Sequence, residues 1–374
     1  MKIIFINQIL TSCAITALSK VCETAVITQG TSWRNFIPAD IRNISLKRST
    51  FGLREIKHIL FPKNQSGIPQ FMPGLSAVLN KEKPDVIFTT ELYQLFTIQS
   101  IRYAKKNNIK ICILSETKAW PPTRLAKYFV KFSVWYINRN IEHVKKIIVW
   151  TEQGRQWFEI YMPAADVELI PAPVDTDFFV PLSNRNFLPE NTLRVLMNAR
   201  YVGFKRHRDL LYAVAELRKQ GRSVSLSLIG SGDLGKRDVE SLINKLNLAE
   251  TVKMLPSRPH NEMPAIYNEH DVLVLTSQNE AIGMVVPEAM ACGIPTITSD
   301  TVGANVYVKN NDTGFIYQTA NVDDLVRKIN VCYSDGKLTD MGINARKEIL
   351  QYNVLNTSKK WQNLLTTLSV SKSQ

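Results

Sequence analysis

Residues 279–295 read Asn279-Glu280-Ala281-Ile282-Gly283-Met284-Val285-Val286-Pro287-Glu288-Ala289-Met290-Ala291-Cys292-Gly293-Ile294-Pro295. An apolar run at 272–276 precedes them, so the chain passes from a buried strand through a polar, glycine-containing loop into a short helix. Pro287 suits the first helical position, Gly293 the C-terminal cap, and Pro295 ends the helix. A strand, a loop of free backbone N–H groups and a helix start together form an anion site. Two carboxylates, Glu280 and Glu288, sit in and just after that loop. They would repel a phosphate, so they are expected to accept hydrogen bonds from hydroxyls, a ribose and a sugar being the natural candidates.

Outward from this stretch the pattern repeats. Apolar runs at 193–198, 223–229, 251–255, 272–276, 296–299 and 314–316 read as strands, with helical patterns at 208–220 and 238–246. The first half shows runs at 2–6, 24–27, 85–89, 110–114 and 146–149, with helical patterns at 72–81, 92–106 and 123–144. Short continuous apolar runs mark parallel strands buried on both faces. Their alternation with helices predicts an α/β chain of two doubly wound, Rossmann-like domains. Glu168-Leu169-Ile170-Pro171-Ala172-Pro173-Val174 leads into the connection, and 182–192 is polar and turn-rich. The expected division is 1–172, 173–352, and a C-terminal segment 353–374. That segment carries an amphipathic helix around Trp361, Leu364, Leu365 and Leu368, expected to pack back on the N-terminal domain.

Composition narrows the class. With 374 residues, 45% hydrophobic and 21% charged, the chain is globular and long enough for two domains. No apolar run reaches the roughly 20 residues of a spanning helix. The run behind Lys2, from Ile3 to Leu18, is interrupted by Asn7 and Gln8 and reads as a buried first strand rather than a signal peptide. Cys13, Cys22, Cys112, Cys292 and Cys332 are scattered and odd in number, which supports neither a disulfide framework nor a zinc site. A cytoplasmic location is expected. The net charge is +13, and residues 1–180 hold 23 Lys and Arg against 14 Asp and Glu. Such a half either faces an anionic partner or carries solvated surface lysines.

Three further segments bear on chemistry. Arg200 and Lys205 follow the strand 193–198, where two cations could neutralise charge on a departing diphosphate. Arg206, His207 and Arg208 would add positive potential, although the cluster alone equally reads as a solvated helix start. Gly230-Ser231-Gly232-Asp233-Leu234-Gly235 is a glycine-rich turn after the strand 223–229, weak evidence by itself. Asp175-Thr176-Asp177 spells a metal-binding Asp-x-Asp, but it falls in the inter-domain connection, so no metal site is expected there.

In this order the segments resemble the C-terminal half of glycosyltransferase family 4, over about residues 168–318. The match rests on Glu280 and Glu288 with Glu288-Ala289-Met290-Ala291-Cys292-Gly293, on Arg200 and Lys205, on Gly230 and Gly232, and on Pro171-Ala172-Pro173-Val174-Asp175 with Phe178 or Phe179. The resemblance implies a GT-B fold, two Rossmann-like domains facing a central cleft. It implies a retaining enzyme that moves a sugar from a nucleotide-diphosphate sugar to an acceptor hydroxyl, as in glycan, glycolipid or cell-surface polysaccharide synthesis. Arg200 and Lys205 would hold the diphosphate and serve catalysis. Glu280 would meet the sugar hydroxyls, with the amides of Gly283, Met284 and Val285 near sugar and phosphate. Glu288 would bind the ribose. The transition state would be oxocarbenium-like, and no metal or other cofactor would be needed.

This sequence departs from the family in its N-terminal half. Asn7-Gln8-Ile9-Leu10-Thr11-Ser12-Cys13 stands where a Gly-Gly loop is common. Glu116, in Ser115-Glu116-Thr117-Lys118-Ala119-Trp120-Pro121-Pro122, stands about where a histidine is common. Glu116 would contact donor sugar or acceptor, or be a loop acid paired with Lys118 or Arg124. At 123–146, Lys127, Lys131, Arg139, Lys145 and Lys146 interleave with Tyr128, Phe129, Phe132, Trp135 and Tyr136. That stretch fits either an anionic membrane surface at the inner face or a long helix with its aromatics in the core. No nucleic-acid motif is present. Competing readings are a nucleotide-sugar epimerase of the same architecture and a non-catalytic nucleotide-sugar-binding subunit.

Overall fold

The computed structural model describes residues 1–6, 19, 22–29, 41–46, 70–117, 124–183, 186–334 and 336–370. The loop 7–13 and the stretch 118–123, both singled out above, lie outside them. The chain divides into two compact units, Met1–Pro173 with Val354–Gln374, and Val174–Asn353.

The first unit carries β1 (Lys2–Ile6), β2 (Glu23–Gln29), β3 (Arg42–Leu46), β4 (Val86–Thr90), β5 (Lys110–Ser115), β6 (Val144–Val149) and β7 (Val167–Leu169). They form one sheet in the order β3-β2-β1-β4-β5-β6-β7, parallel throughout. Helices α1 (Leu75–Glu82), α2 (Leu95–Asn107), α3 (Arg124–Asn138) and α4 (Glu152–Tyr161) supply crossovers. Ile4, Ile6, Ile87, Phe96, Ile113, Ile147 and Phe158 are among the residues of its core. All five residues of β4 are buried, as the continuous apolar reading requires.

The second unit repeats the plan with β8 (Thr192–Asn198), β9 (Ser223–Gly230), β10 (Val252–Pro256), β11 (Val272–Leu275), β12 (Thr296–Ser299) and β13 (Gly314–Tyr317). Their order is β10-β9-β8-β11-β12-β13, again parallel. The helices are α5 (His207–Lys219), α6 (Asp233–Lys245), α7 (Met263–Asn268), α8 (Val285–Ala291), α9 (Val322–Val331) and α10 (Lys337–Ile349). In each sheet one strand, β1 or β8, sits between neighbours wound in opposite directions, β2 and β4 or β9 and β11. Ligands of open α/β sheets bind at the carboxyl ends of the strands flanking such a switch point.

After Asn353 the chain returns to the first unit as α11 (Val354–Val370). Trp361 is buried with its ring edge on Phe88, centroids 5.8 Å apart, and Phe88 stacks on Phe5. Lys110 donates to the Leu368 carbonyl near the end of that helix.

Local expectations shift in two places. The helical pattern over 123–144 stops at Asn138. Asn140 turns the chain, its amide bonded to Ile137 O and its side chain donating to Tyr136 O, so a 3₁₀ turn precedes β6. Pro287 is the third helical residue, because α8 already starts at Val285. The helix end holds: Gly293 has φ +70°, its N–H reaches Met290 O and that of Ile294 reaches Ala289 O. That is the left-handed C-terminal closure in which glycine avoids the Cβ penalty.

Candidate active site

The β8 and β11 loops flank the switch point of the second sheet and are stitched to each other. The Gln278 N–H donates to Phe204 O at 2.7 Å. The Thr276 hydroxyl, at the end of β11, is 2.8 Å from Lys205 O and 3.0 Å from Arg206 O. This lock carries Lys205 against Glu280: the ammonium donates directly to Glu280 Oε2, and Ser277 Oγ donates to the same oxygen at 3.2 Å. Two residues 75 apart in sequence are thus one ion pair, with side chains only 11% and 17% exposed. Burial, and then the nearby Arg200 guanidinium, push the Lys205 ammonium down to about 8. The Glu280 carboxylate works in the opposite direction.

Arg200 is exposed just beyond β8, and the glycine turn fixes the backbone around it. A Cβ on Gly230 would lie 2.1 Å from Ala199 O, and one on Gly235 2.2 Å from Tyr201 O. The Tyr201 N–H bonds to Ser231 O at 2.8 Å. Gly232 has φ +116°, which side chains rarely adopt. The turn that reads weakly in sequence therefore has a definite task here, close passage of the chain on both sides of Arg200.

The neighbours of Lys205 do not add the positive potential expected of all three. Arg206 is taken up by the buried Asp209 through contacts of 2.5 and 3.0 Å. His207 is buried, tilted against Tyr201, and pushed down to about 4 by burial, so it is neutral at pH 7. Arg208 alone stays exposed.

Glu288 lies on α8 and is buried. Tyr267 on α7 donates its hydroxyl to Glu288 Oε2 at 2.7 Å. Burial pushes the Glu288 carboxyl up to about 7, and the Tyr267 hydrogen bond holds it from going further. The loop before α8 turns at Gly283, φ +84°, where a Cβ would sit 3.0 Å from Glu280 Cγ and 3.3 Å from Val302 Cγ1. The Glu280 carbonyl accepts from the Gly303 amide at 3.0 Å. Among the described residues, the amides of Gly283, Met284 and Val285 have no hydrogen-bond acceptor.

Arg346 on α10 was not singled out in the sequence. It donates to Ala291 O and Phe179 O, both at 2.8 Å, and to Thr176 O at 3.0 Å, tying the 174–179 segment to the end of α8. Asp175 Oδ1 accepts from the amides of Asp177 and Phe178 at 3.2 and 3.0 Å, an Asx-type turn. Among the described residues no three His, Cys, Asp or Glu side chains gather as metal ligands.

Glu116 belongs to the other unit, one residue past β5. Its neighbour is a second acid, Glu91, at the end of β4. Glu91 Oε1 accepts from the Glu116 amide at 2.6 Å, and Oε2 from the hydroxyls of Thr117 and Ser115 at 3.1 and 3.2 Å. Tyr267, Ser277, Arg346 and Glu91 are thus the partners that sequence reading missed. For Glu91 a signal existed: a carboxylate directly behind a run of apolar and β-branched residues, in Val86-Ile87-Phe88-Thr89-Thr90-Glu91.

Residues 181–348 match the family model described as glycosyl transferases group 1. A UDP-Gal:alpha-D-GlcNAc-diphosphoundecaprenol alpha-1,3-galactosyltransferase of Escherichia coli is 25% identical over 233 residues, 57% of each chain. A D-inositol 3-phosphate glycosyltransferase of Corynebacterium jeikeium is 29% identical over 164 residues, 40% of this chain and 39% of that one. The matches thus span 57% or less of these two relatives. In fold the likeness runs end to end: Anabaena HepE, solved in complex with UDP, has a TM-score of 0.78 at 18% identity, covering 98% of this chain and 100% of its own. The two parallel sheets are the two Rossmann-like domains of the GT-B fold. The stretch that matches the glycosyl transferases group 1 model, 181–348, holds Arg200, the Lys205–Glu280 pair and the buried Glu288.

Proposed function

We propose that the protein transfers a hexose from a nucleotide-diphosphate sugar to an acceptor hydroxyl, with retention of configuration and without a metal. The Lys205–Glu280 contact beside Arg200, at the switch point of the second sheet, carries this reading. Arg200 and Lys205 take the charge that grows on the diphosphate as the C1–oxygen bond breaks. The acceptor oxygen bonds to C1 on the face the phosphate leaves, and its proton passes to the departing phosphate oxygen. Glu280 accepts from sugar hydroxyls, the free amides of 283–285 face sugar and phosphate, and Glu288 accepts from the ribose. One relative is named for UDP-Gal and HepE was solved with UDP, which makes a uridine donor the first trial. Thermal unfolding against a panel of nucleoside diphosphates and their sugars, without added metal, tests the reading. Binding to the native state alone raises the midpoint by mass action. A rise with one diphosphonucleoside and its sugars is expected. A rise only with manganese, or only with nucleic acid, would overturn it.

The acceptor side of this reading is a lipid-linked or membrane-borne hydroxyl at an anionic surface. Most aromatics of α3 do not fill the core: Tyr128, Phe132 and Trp135 are 66%, 47% and 53% exposed, while Tyr136 packs against it. Its inner face is Val130, Ser133 and Ile137. Lys127 and Lys131 are exposed between the rings, Arg139 lies over the Trp135 ring at 5.5 Å, and the helix has no acidic residue. Lys146 is not part of this face, being held by Asp166 at 2.9 Å and Glu168 at 3.3 Å. Among the described residues no helix is long and apolar enough to cross a membrane. An amphipathic basic face lies in the headgroup layer, where each cation contributes about 1 kcal/mol. Sedimentation with phosphatidylglycerol-containing vesicles, but not with pure phosphatidylcholine, is expected. Phe132→Ser with Trp135→Ser should abolish it while leaving nucleotide binding intact; equal sedimentation of this variant would reject the surface.

A further inference from the structure

Glu91 and Glu116 stand at the carboxyl ends of adjacent strands, β4 and β5. Glu91 is 3% exposed and has φ +61°, a left-handed backbone that a non-glycine residue rarely holds. Three contacts keep it there. Its N–H reaches Leu114 O at 2.7 Å, its carbonyl accepts from Thr97 Oγ1 at 2.8 Å, and its carboxylate takes the three donors of residues 115–117. The turn is further closed by the Thr117 amide on Ser115 Oγ at 3.1 Å. The Glu116 carboxyl has no such donors among the described residues and is only half-buried.

Burial raises both carboxyls, and the Glu91 charge acts on Glu116, so the two do not readily ionise together at neutral pH. Hydrogen bonds donated to a carboxylate favour its charged form, and all three here go to Glu91. The proton therefore belongs on its neighbour. We propose that Glu91 is a positioning residue for the sugar-transfer reaction: its ionised carboxylate fixes the turn at 115–117 and leaves Glu116 as a neutral acid whose O–H donates to a substrate hydroxyl. This rests on the proposed function and deepens it. Burial, and then the Glu91 charge, push the Glu116 carboxyl up to about 8, in line with the donor count. Tyr93, on the turn between β4 and α2, faces the pair; its own burial, and then the Glu91 charge, hold it well above 10, so it stays neutral.

Two readouts test this. The first is the infrared carbonyl band of a protonated carboxylic acid in the ligand-free protein at pH 7. It should be present in the wild type and weakened in Glu116→Gln. Identical spectra would overturn the proposal, whether or not any sugar is transferred. The second is kcat/KM with whichever nucleotide sugar raises the unfolding midpoint. A glutamine side chain keeps a neutral donor, so Glu116→Gln should stay within about fivefold of wild type, whereas Glu91→Gln should lose at least about tenfold. The reverse asymmetry would put the proton on Glu91 and overturn the assignment. Should Glu91→Gln fail to fold, Glu116→Gln decides alone, since loss of activity there would mean that an ionised Glu116 is needed. Absence of transfer by the wild type would instead count against the proposed function, and the infrared arm would still locate the proton.

Discussion

Lys205→Ala is expected to lower kcat about 10²–10³-fold while the KM for the donor changes far less. The ammonium matters most when charge has moved onto the leaving diphosphate, so its removal falls on the transition state more than on the bound ground state. Its setting makes the effect large. The side chain is 11% exposed and its backbone is pinned by the loop lock of Thr276 and Gln278, so water has little room to replace the ammonium. Lys205→Arg keeps the charge but brings a planar fork where a compact ammonium fits Glu280, and should recover only part of the rate. Arg200→Ala is expected to act less than additively with Lys205→Ala, because both cations serve one charge. The alanine variant removes the ammonium paired with the largely buried Glu280 carboxylate, which costs stability as well. Rates must therefore be compared well below each variant's unfolding midpoint. Wild-type kcat in a folded Lys205→Ala would remove this lysine from the reaction.

Much of this arrangement was legible in the residues because parallel strands buried on both faces announce themselves. The runs Ile3-Ile4-Phe5-Ile6 and Val272-Leu273-Val274-Leu275 have no other use in water. Arg42-Asn43-Ile44-Ser45-Leu46 is an edge strand with no fully buried residue, and its polar sequence carries no such mark. The helices over Val322–Val331 and Lys337–Ile349 were missed for a related reason. Each shows its apolar residues only as a thin stripe, Leu325, Val326 and Ile329 in the first, among acids and lysines. Pro287 misplaced the start of α8 by two residues, since proline is tolerated anywhere in a first turn whose N–H groups lack intrahelical acceptors. The site splits along the same line. Glu280, Glu288, Arg200 and Lys205 are motif residues at fixed spacing. What sets their charge state is not: Tyr267 reaches Glu288 across 21 residues, and Glu91 reaches the Glu116 turn across 25. Only the sheet order creates those distances, and no local pattern encodes it.

Glu288 should show opposite effects on binding and on stability. Its carboxyl is pushed up to about 7 by burial, from an ordinary value of 4.5. As a ribose acceptor it works when ionised, so donor affinity and kcat/KM should fall as the pH drops through about 7. Glu288→Gln should weaken donor binding about tenfold or more at pH 8, the range for a hydrogen bond to a charged group, and should flatten that acid limb. Stability runs the other way. Between the unfolded and folded values the native state binds the proton more tightly, so the contribution to stability is present below about pH 4.5 and is lost as the pH rises from there to about 7. At pH 8 the ionised, buried carboxylate destabilises the fold by an amount on the order of 3 kcal/mol. The side-chain amide of Glu288→Gln can still accept from Tyr267 and carries no charge. That variant should therefore unfold at a higher temperature than wild type at pH 8, and the two should converge only below about pH 4.5. A residue kept at the expense of stability is expected where the charge serves a ligand. Tyr267→Phe removes the hydrogen bond that lowers the Glu288 value, and should move the acid limb to higher pH with the donor site otherwise intact. Binding isotherms from pH 5.5 to 8.5, taken with unfolding midpoints over the same range, decide the matter. A Glu288→Gln protein that binds the donor as tightly as wild type at pH 8 would take the ribose contact away from this residue, and one that also unfolds at the wild-type temperature would remove the buried charge.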